Sequence, residues 1–187
     1  MKTEFEKQLI GQCAPTLAGI KAGSLFRYTQ GKDEDINETI DCWNEKLIGK
    51  GVRICSIREN YNGGLIYVFR PSMLIKLLSD KNTSLFLQKR GYTGCYNLDT
   101  YVKRLRCRFS NERGFPHEIG IFLNYPLHDV QGFIENQGRG YNLCGLWKVY
   151  GERHHAQRLF AKYDKCKSIY HTMFENGCPI LRLTVAA

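Results

Sequence analysis

The clearest structural signal in this chain is VRICSIRENYNGGLIYVFR, residues 52–70. VRICSIREN sends alternate residues to opposite faces, which is the period-two pattern of a β-strand. GLIYVFR is rich in the β-branched and aromatic residues that strands favour, and the intervening YNGG contains the Asn-Gly pair typical of tight hairpin turns. We therefore predict an antiparallel hairpin in which residues 52–58 pair with residues 65–70 through a turn at Asn62 and Gly63.

Helical signals dominate the rest of the chain, with apolar residues three and four apart, prolines at helix starts and glycines at helix ends. Pro15 disfavours helix at the residue before it, so we expect two helices to meet at Cys13. The predicted helices cover about residues 3–13, 15–29, 36–48, 71–80, 84–90, 98–109 and 152–176, with two short helices within 115–136.

A third strand is predicted at GLWKVYG, residues 145–151. We expect residues 145–150 to join the hairpin, which would tie both halves of the chain into a single domain over residues 1–187. Three strands among about eight helices cannot form a doubly wound sheet. The predicted fold class is therefore α+β, with a small, mainly antiparallel sheet of about three strands covered by about eight helices.

The composition favours an anionic partner and a cytoplasmic location. The formal net charge is +9, although acidic residues are interspersed with the basic ones along the whole chain. The start, MKTEFEKQLIGQC, carries charges where a signal peptide needs an apolar core, and no run is long enough to predict a membrane partner. The eight cysteines form no CxxC pair and no compact Cys/His spacing, so we predict reduced thiols, no metal site and no cofactor.

Four segments in combination resemble an uncharacterised domain-of-unknown-function family of anaerobic Gram-positive bacteria. These segments are CAPTLAGIKAGSLF, FPHEIGIFLNYPLHDVQGFI, GLWKVYG and the terminal LTVAA. The resemblance spans nearly the whole chain. It implies a single-domain cytoplasmic protein, and it carries over no established reaction, cofactor or catalytic residue.

The stretch from residue 115 to residue 138 has the spacing of a helix-turn-helix, with Gly120, Asn124 and Val130 as its small, turn and β-branched residues. The preceding helix would supply cations for phosphate and the second helix an amide for base edges, at Lys103, Arg104, Arg106, Arg108 and Gln131. Asp129 and Glu135 on the second helix would repel phosphate, so a plain pair of packed helices stays open. We predict a nucleic-acid or other anion-binding module centred on residues 98–136.

The alternative function is a thiol-dependent enzyme that uses Cys13 with His117. A thiol just ahead of a proline-started helix would lie near free backbone N–H groups, which lower a thiol pKa, and His117 would act as general base. Against this, Cys13 continues the apolar stripe of Phe5 and Leu9, which is typical of a buried, inert cysteine. Lys21 is a further candidate cation, and a protein-interaction scaffold with neither kind of site is the remaining hypothesis.

Overall fold

A three-stranded antiparallel sheet lies at the centre of the molecule, in a computed structural model that describes residues 2–31, 35–60, 63–111 and 114–186. Its strands are β1 (Gly23–Thr29), β2 (Arg53–Asn60) and β3 (Gly63–Phe69), in the order β1-β3-β2. The pairing of β2 with β3 confirms the predicted hairpin. Of the predicted turn, Asn62 lies outside the described residues.

Helices make up most of the remaining structure, which confirms the α+β class. They are α1 (Glu4–Leu17), α2 (Ile36–Leu47), α3 (Pro71–Leu78), α4 (Lys81–Gln88), α5 (Leu98–Asn111), α6 (Ile119–Phe122), α7 (Leu127–Glu135), α8 (Arg153–Glu175) and α9 (Ile180–Leu183). A short 3₁₀ helix, Ile48–Lys50, follows α2, and the two-residue strands β4 (Leu143–Cys144) and β5 (Lys148–Val149) precede α8. Among the described residues, no helix is both long and apolar enough to cross a membrane.

The sheet is the middle layer of the fold because both of its faces are covered. Ile66 and Val68 of β3 point into a first apolar cluster that is formed with α1, α2, α8 and α9. Tyr67 and Phe69, the alternate residues of the same strand, point into a second cluster formed with α3 to α7. A central strand buried on both faces explains why GLIYVF is an almost continuous apolar run rather than an alternation.

The predicted helix over residues 15–29 is wrong, and so is the predicted break at Cys13. One helix, α1, runs through Pro15 to Leu17, and the residues from Gly23 onward form β1. Pro15 lies in the last turn of α1, where a missing N–H removes only one bond of an already completed helix. Gly19 then adopts a left-handed φ of 73°, which ends the helix.

The expectation that residues 145–150 join the hairpin is also wrong. Lys148–Val149 pairs with Leu143–Cys144 in a separate two-stranded sheet. On the β3 side of the hairpin the edge is taken by β1, which is antiparallel to β3 on the side opposite β2. Trp147 and Val149 instead pack with Ala156 and Tyr163 of α8 in a third apolar cluster.

Arg70 follows β3 and is only 2% exposed, which is unusual for a charged side chain. Its guanidinium donates to the carbonyl oxygens of Thr16 at 2.5 Å, Leu17 at 2.6 Å and Val185 at 2.7 Å. A longer bond of 3.3 Å reaches the carbonyl of Lys50. One side chain thus ties together the end of α1, the 3₁₀ helix and the C-terminal segment.

Replacing Arg70 by Met should lower the free energy of unfolding by about 3 kcal/mol, because several buried carbonyl groups lose their donor. Urea unfolding followed by circular dichroism measures the loss. Arg27→Met is the matched control on the exposed side of β1 and should change stability by less than about 0.5 kcal/mol. An Arg70→Met protein as stable as the control would contradict the structural role of Arg70.

Candidate functional site

An open cleft of about 370 Å³ lies between the α6–α7 region and the loop that joins β4 to β5. It is lined by Phe115, His117, Ile119, Gly120, Leu123, Tyr125, Asp129, Val130, Phe133, Cys144, Gly145, Leu146, Trp147 and Lys148. We call it the aromatic cleft. All of these residues except Cys144 belong to two of the segments on which the family resemblance rests, and the fold brings those two segments together.

Five side chains with rings line the cleft: Phe115, His117, Tyr125, Phe133 and Trp147. Tyr125 stacks on Trp147 with 4.7 Å between ring centroids and an interplanar angle of 24°. The His117 ring lies 4.8 Å from the Phe133 ring and 5.8 Å from the Phe115 ring. These contacts give the cleft an aromatic lining that suits an apolar group.

Asp129 holds the two sides of the cleft together. Its side chain is 2% exposed and accepts hydrogen bonds from the Trp147 indole N–H at 2.8 Å and from the backbone N–H groups of Tyr150 at 2.7 Å and Gly151 at 2.9 Å. The exposed His128 imidazole lies 3.4 Å from the same carboxylate. Because the donors come from the β5 region and the acceptor from α7, this carboxylate positions Trp147 in the cleft wall.

Lys148 places a positive charge on the cleft rim. Its Nζ donates to the Gly138 carbonyl at 2.8 Å and lies 5.8 Å from the centre of the Phe133 ring and 5.0 Å from that of Tyr141. In the part of the chain that the structure describes, this ammonium has no carboxylate within ion-pairing distance. Its position is therefore fixed while its charge stays available to a ligand.

The turn between α6 and α7 uses the residues that the helix-turn-helix spacing singled out. A Cβ at Gly120 would lie 2.7 Å from Val130 Cγ2, so only glycine allows the two helices to pack this closely. Asn124 has a left-handed φ of 63°, and its side-chain oxygen accepts a hydrogen bond from the Ala22 N–H at 3.0 Å. The first helix of this unit spans only Ile119–Phe122, and the resemblance of residues 98–136 to a helix-turn-helix stays a prediction.

The predicted phosphate-binding cations of α5 do not all face solvent. Lys103, Arg104 and Arg106 are exposed, while Arg108 is paired through its Nε with the carboxylate of Glu118. Glu118 is 1% exposed and also accepts a hydrogen bond from the Tyr92 hydroxyl at 3.3 Å. The charge of this buried carboxylate is therefore met by Arg108 and not by solvent.

Two further residues of the predicted nucleic-acid module are Gln131, which was expected to contact base edges, and Arg106. Gln131 lies half-buried on α7. Arg106 is 3.9 Å from the Glu59 carboxylate, a distance at which an exposed pair contributes little stability.

The structure places Cys13 and His117 in different parts of the molecule. Cys13 is fully buried in the first apolar cluster, and this burial raises the pKa of its thiol to about 12, although nearby Lys21 and Lys167 oppose the shift. His117 lines the aromatic cleft beside residues of the second cluster. The helix start on which a reactive Cys13 depended does not occur, since residues 13–15 lie inside α1. A catalytic role for the pair stays a prediction.

Metal-ligating side chains are dispersed over the fold. Among the described residues, no three histidine, cysteine, aspartate or glutamate side chains come close enough together to hold a metal ion. None of the eight cysteines forms a disulfide.

The chain belongs to the family described as a protein of unknown function, DUF3793, whose model matches residues 9–184. This membership confirms the resemblance to an uncharacterised family that the sequence segments indicated. Both cleft-forming segments lie inside the matched range. No curated protein and no solved structure matches the chain.

Cys13 should react with iodoacetamide only after denaturation, because its pKa of about 12 and its burial leave almost no accessible thiolate near neutral pH. The exposed Cys42 and Cys144 serve as internal controls and should label in the native protein. Peptide mass spectrometry over a series of pH values measures all three sites. Fast native labelling of Cys13 that slows in His117→Ala would instead support the thiol enzyme.

Asp129→Ala should lower the free energy of unfolding by about 3 kcal/mol, because a buried indole N–H and two backbone N–H groups lose their acceptor. In a Trp43→Phe background, which leaves Trp147 as the sole tryptophan, its fluorescence should also shift to longer wavelength. Glu135→Ala removes an exposed carboxylate at the end of the same helix and should change neither measurement. Unchanged Trp147 emission in Asp129→Ala would contradict the positioning role.

Proposed function

We propose that this member of the DUF3793 family binds a small anionic molecule with a planar ring, and that the aromatic cleft is its binding site. One observation carries the proposal: an open cavity lined by aromatic rings has on its rim the fixed ammonium of Lys148, which has no carboxylate partner among the described residues. A volume of about 370 Å³ falls in the range of small-molecule sites, which are mostly apolar with a few placed polar groups.

The walls favour a planar ligand over a flexible aliphatic one. Tyr125 with Trp147 and Phe133 with His117 are contacting ring pairs that line the cleft. A ring that enters the cleft gains contact with these side chains while it loses little internal freedom on binding. The hydrogen bond from Trp147 to Asp129 keeps the indole in place before a ligand arrives.

The charge distribution favours an anionic ligand. Lys148 lies over the Phe133 and Tyr141 rings, which partly desolvate its ammonium without neutralising it. Among the described residues, Asp129 is the only carboxylate that lines the cleft, and it is already met by donors from Trp147, Tyr150 and Gly151. A ligand carboxylate, sulfonate or phosphate near Lys148 would therefore gain a charge-assisted hydrogen bond.

The sequence predicted an anion-binding module centred on residues 98–136, with its cations on α5. The proposal retains anion binding but assigns it to residues 115–133 and 144–148. A nucleic-acid partner is a second candidate, favoured by the exposed Lys103 and Arg104, which have no carboxylate partner among the described residues. The thiol enzyme and the interaction scaffold have no comparable observation in their favour.

The fluorescent probe 8-anilinonaphthalene-1-sulfonate, a flat ring system with one negative charge, should bind the native protein and gain fluorescence. Phe133→Ala and Lys148→Met should each weaken binding about fivefold, which corresponds to about 1 kcal/mol. Lys165→Met, at an exposed position on α8, should leave the affinity unchanged. The uncharged probe 1-anilinonaphthalene should lose affinity in Phe133→Ala but not in Lys148→Met.

Equal binding of the sulfonate probe by all variants would contradict the proposal. The nucleic-acid candidate would replace it if a labelled single-stranded oligonucleotide then bound with an affinity that falls steeply with salt. Lys103→Ala with Arg104→Ala should in that case flatten the salt dependence.

A further inference from the structure

A second, smaller cavity of about 150 Å³ lies on the other side of Tyr125 from the aromatic cleft. Leu123, Tyr125 and Leu146 line both cavities and form the wall between them. We call the smaller one the lysine cavity, because Lys21 and Lys167 both line it. It is built from α1, β1, the α6–α7 turn and α8, so it exists only in the folded protein.

Lys21 is held in this cavity by aromatic side chains and not by an ion pair. Its Nζ lies 5.5 Å from the centre of the Tyr125 ring and 5.9 Å from that of Tyr163. Burial lowers the pKa of Lys21 to about 8, the neighbouring Cys13 opposes this shift, and Lys167 adds to it. The ammonium groups of Lys21 and Lys167 therefore line the same small cavity and repel each other.

Neither ammonium is neutralised in the described part of the chain, where no carboxylate lies within ion-pairing distance of Lys21 or Lys167. The other polar side chains that line the cavity are uncharged: Gln12, Ser24, Tyr125 and Tyr163. Ser24 shares a hydrogen bond of 2.9 Å with Thr16, which fixes its hydroxyl at the cavity wall. Gln12 brings an amide that can donate to an oxyanion.

We infer that the lysine cavity binds an oxyanion of the sulfate or phosphate type between Lys21 and Lys167. Such an anion converts the repulsion between two ammonium groups into two attractive contacts, in a partly desolvated site where each contact is stronger than in water. The inference does not depend on the ligand of the aromatic cleft, because the cations involved are different. The oxyanion is either a free ion or the anionic group of a larger molecule that passes Tyr125.

Isothermal titration with sodium sulfate, at an ionic strength held constant with sodium chloride, tests this site. The wild-type protein should bind sulfate, and Lys21→Met and Lys167→Met should each weaken binding at least about tenfold. Lys162→Met, at an exposed position on the same helix as Lys167, is the matched control and should bind like wild type. Equal sulfate affinity in all four proteins, or no binding by wild type, would overturn the inference.

The pH dependence provides a readout that a merely structural lysine would not show. Sulfate affinity should be constant below about pH 8 and fall as Lys21 loses its proton above it. Besides Lys167, the titratable groups that face Lys21 are Cys13, Tyr125 and Tyr163. Burial raises the pKa of each of these three groups, so they do not ionise near pH 8. Lys21→Arg should keep the binding and lose its pH dependence near 8, and a persisting dependence would count against Lys21.

A competition measurement separates the two sources of the oxyanion. If sulfate lowers the affinity for 8-anilinonaphthalene-1-sulfonate in the Lys148→Met variant, where the cleft cation is absent, the lysine cavity holds the anionic group of a cleft ligand. If both bind at once, it holds a free oxyanion, and both results support the site. Because Phe133→Ala alters only the aromatic cleft, unchanged sulfate binding in that variant separates a failure of the cleft proposal from a failure of this one.

Discussion

The buried guanidinium of Arg70 connects segments that lie far apart in the chain. It holds the end of α1 and the C-terminal segment through their carbonyl groups, while the Arg70 backbone N–H donates to the Ala22 carbonyl at 2.8 Å. Ala22 in turn donates to the side chain of Asn124, in the turn before α7. A charge with five donors in a rigid plane suits this role, since carbonyl oxygens approach it from several directions. The position of Tyr125, the wall between the two cavities, follows from this chain of bonds.

Some cationic side chains of this protein are paired with carboxylates inside the fold, whereas others have no carboxylate partner among the described residues. Glu118 neutralises Arg108, and Asp129 is saturated by Trp147 and by backbone donors, so the buried carboxylates act inside the fold. Lys148 and Lys21 are held instead by aromatic rings and keep their charge. In the two proposed sites, basic charge that is spread along the sequence becomes localised because the nearby carboxylates are used inside the fold.

Local patterns predicted those parts of the fold whose neighbours in space are also neighbours in sequence. The 52–70 hairpin follows from alternation and a turn signal, and α8 from a long helical pattern that ends before Gly177. β1 was missed because LAGIKAGSLF has helical spacing and no flanking turn that marks a strand. β1 forms by pairing with β3, which brings Gly23 against Phe122 and Tyr67, where a Cβ would lie 2.5 Å from a carbonyl oxygen.

Residue types and their spacing were sufficient for the α+β class, the hairpin, and the close approach of Gly120 to Val130, because each depends on short-range geometry. Tertiary packing was required to pair β1 with β3, to bury Glu118, and to bring Trp147 and Lys148 into one cleft with Phe133. These contacts join residues that are distant in the chain, and their energies depend on burial and on the partner that satisfies each polar group. The candidate site depends on such long-range contacts, since Lys148 and the rings that line the cleft come from segments that no local pattern connects.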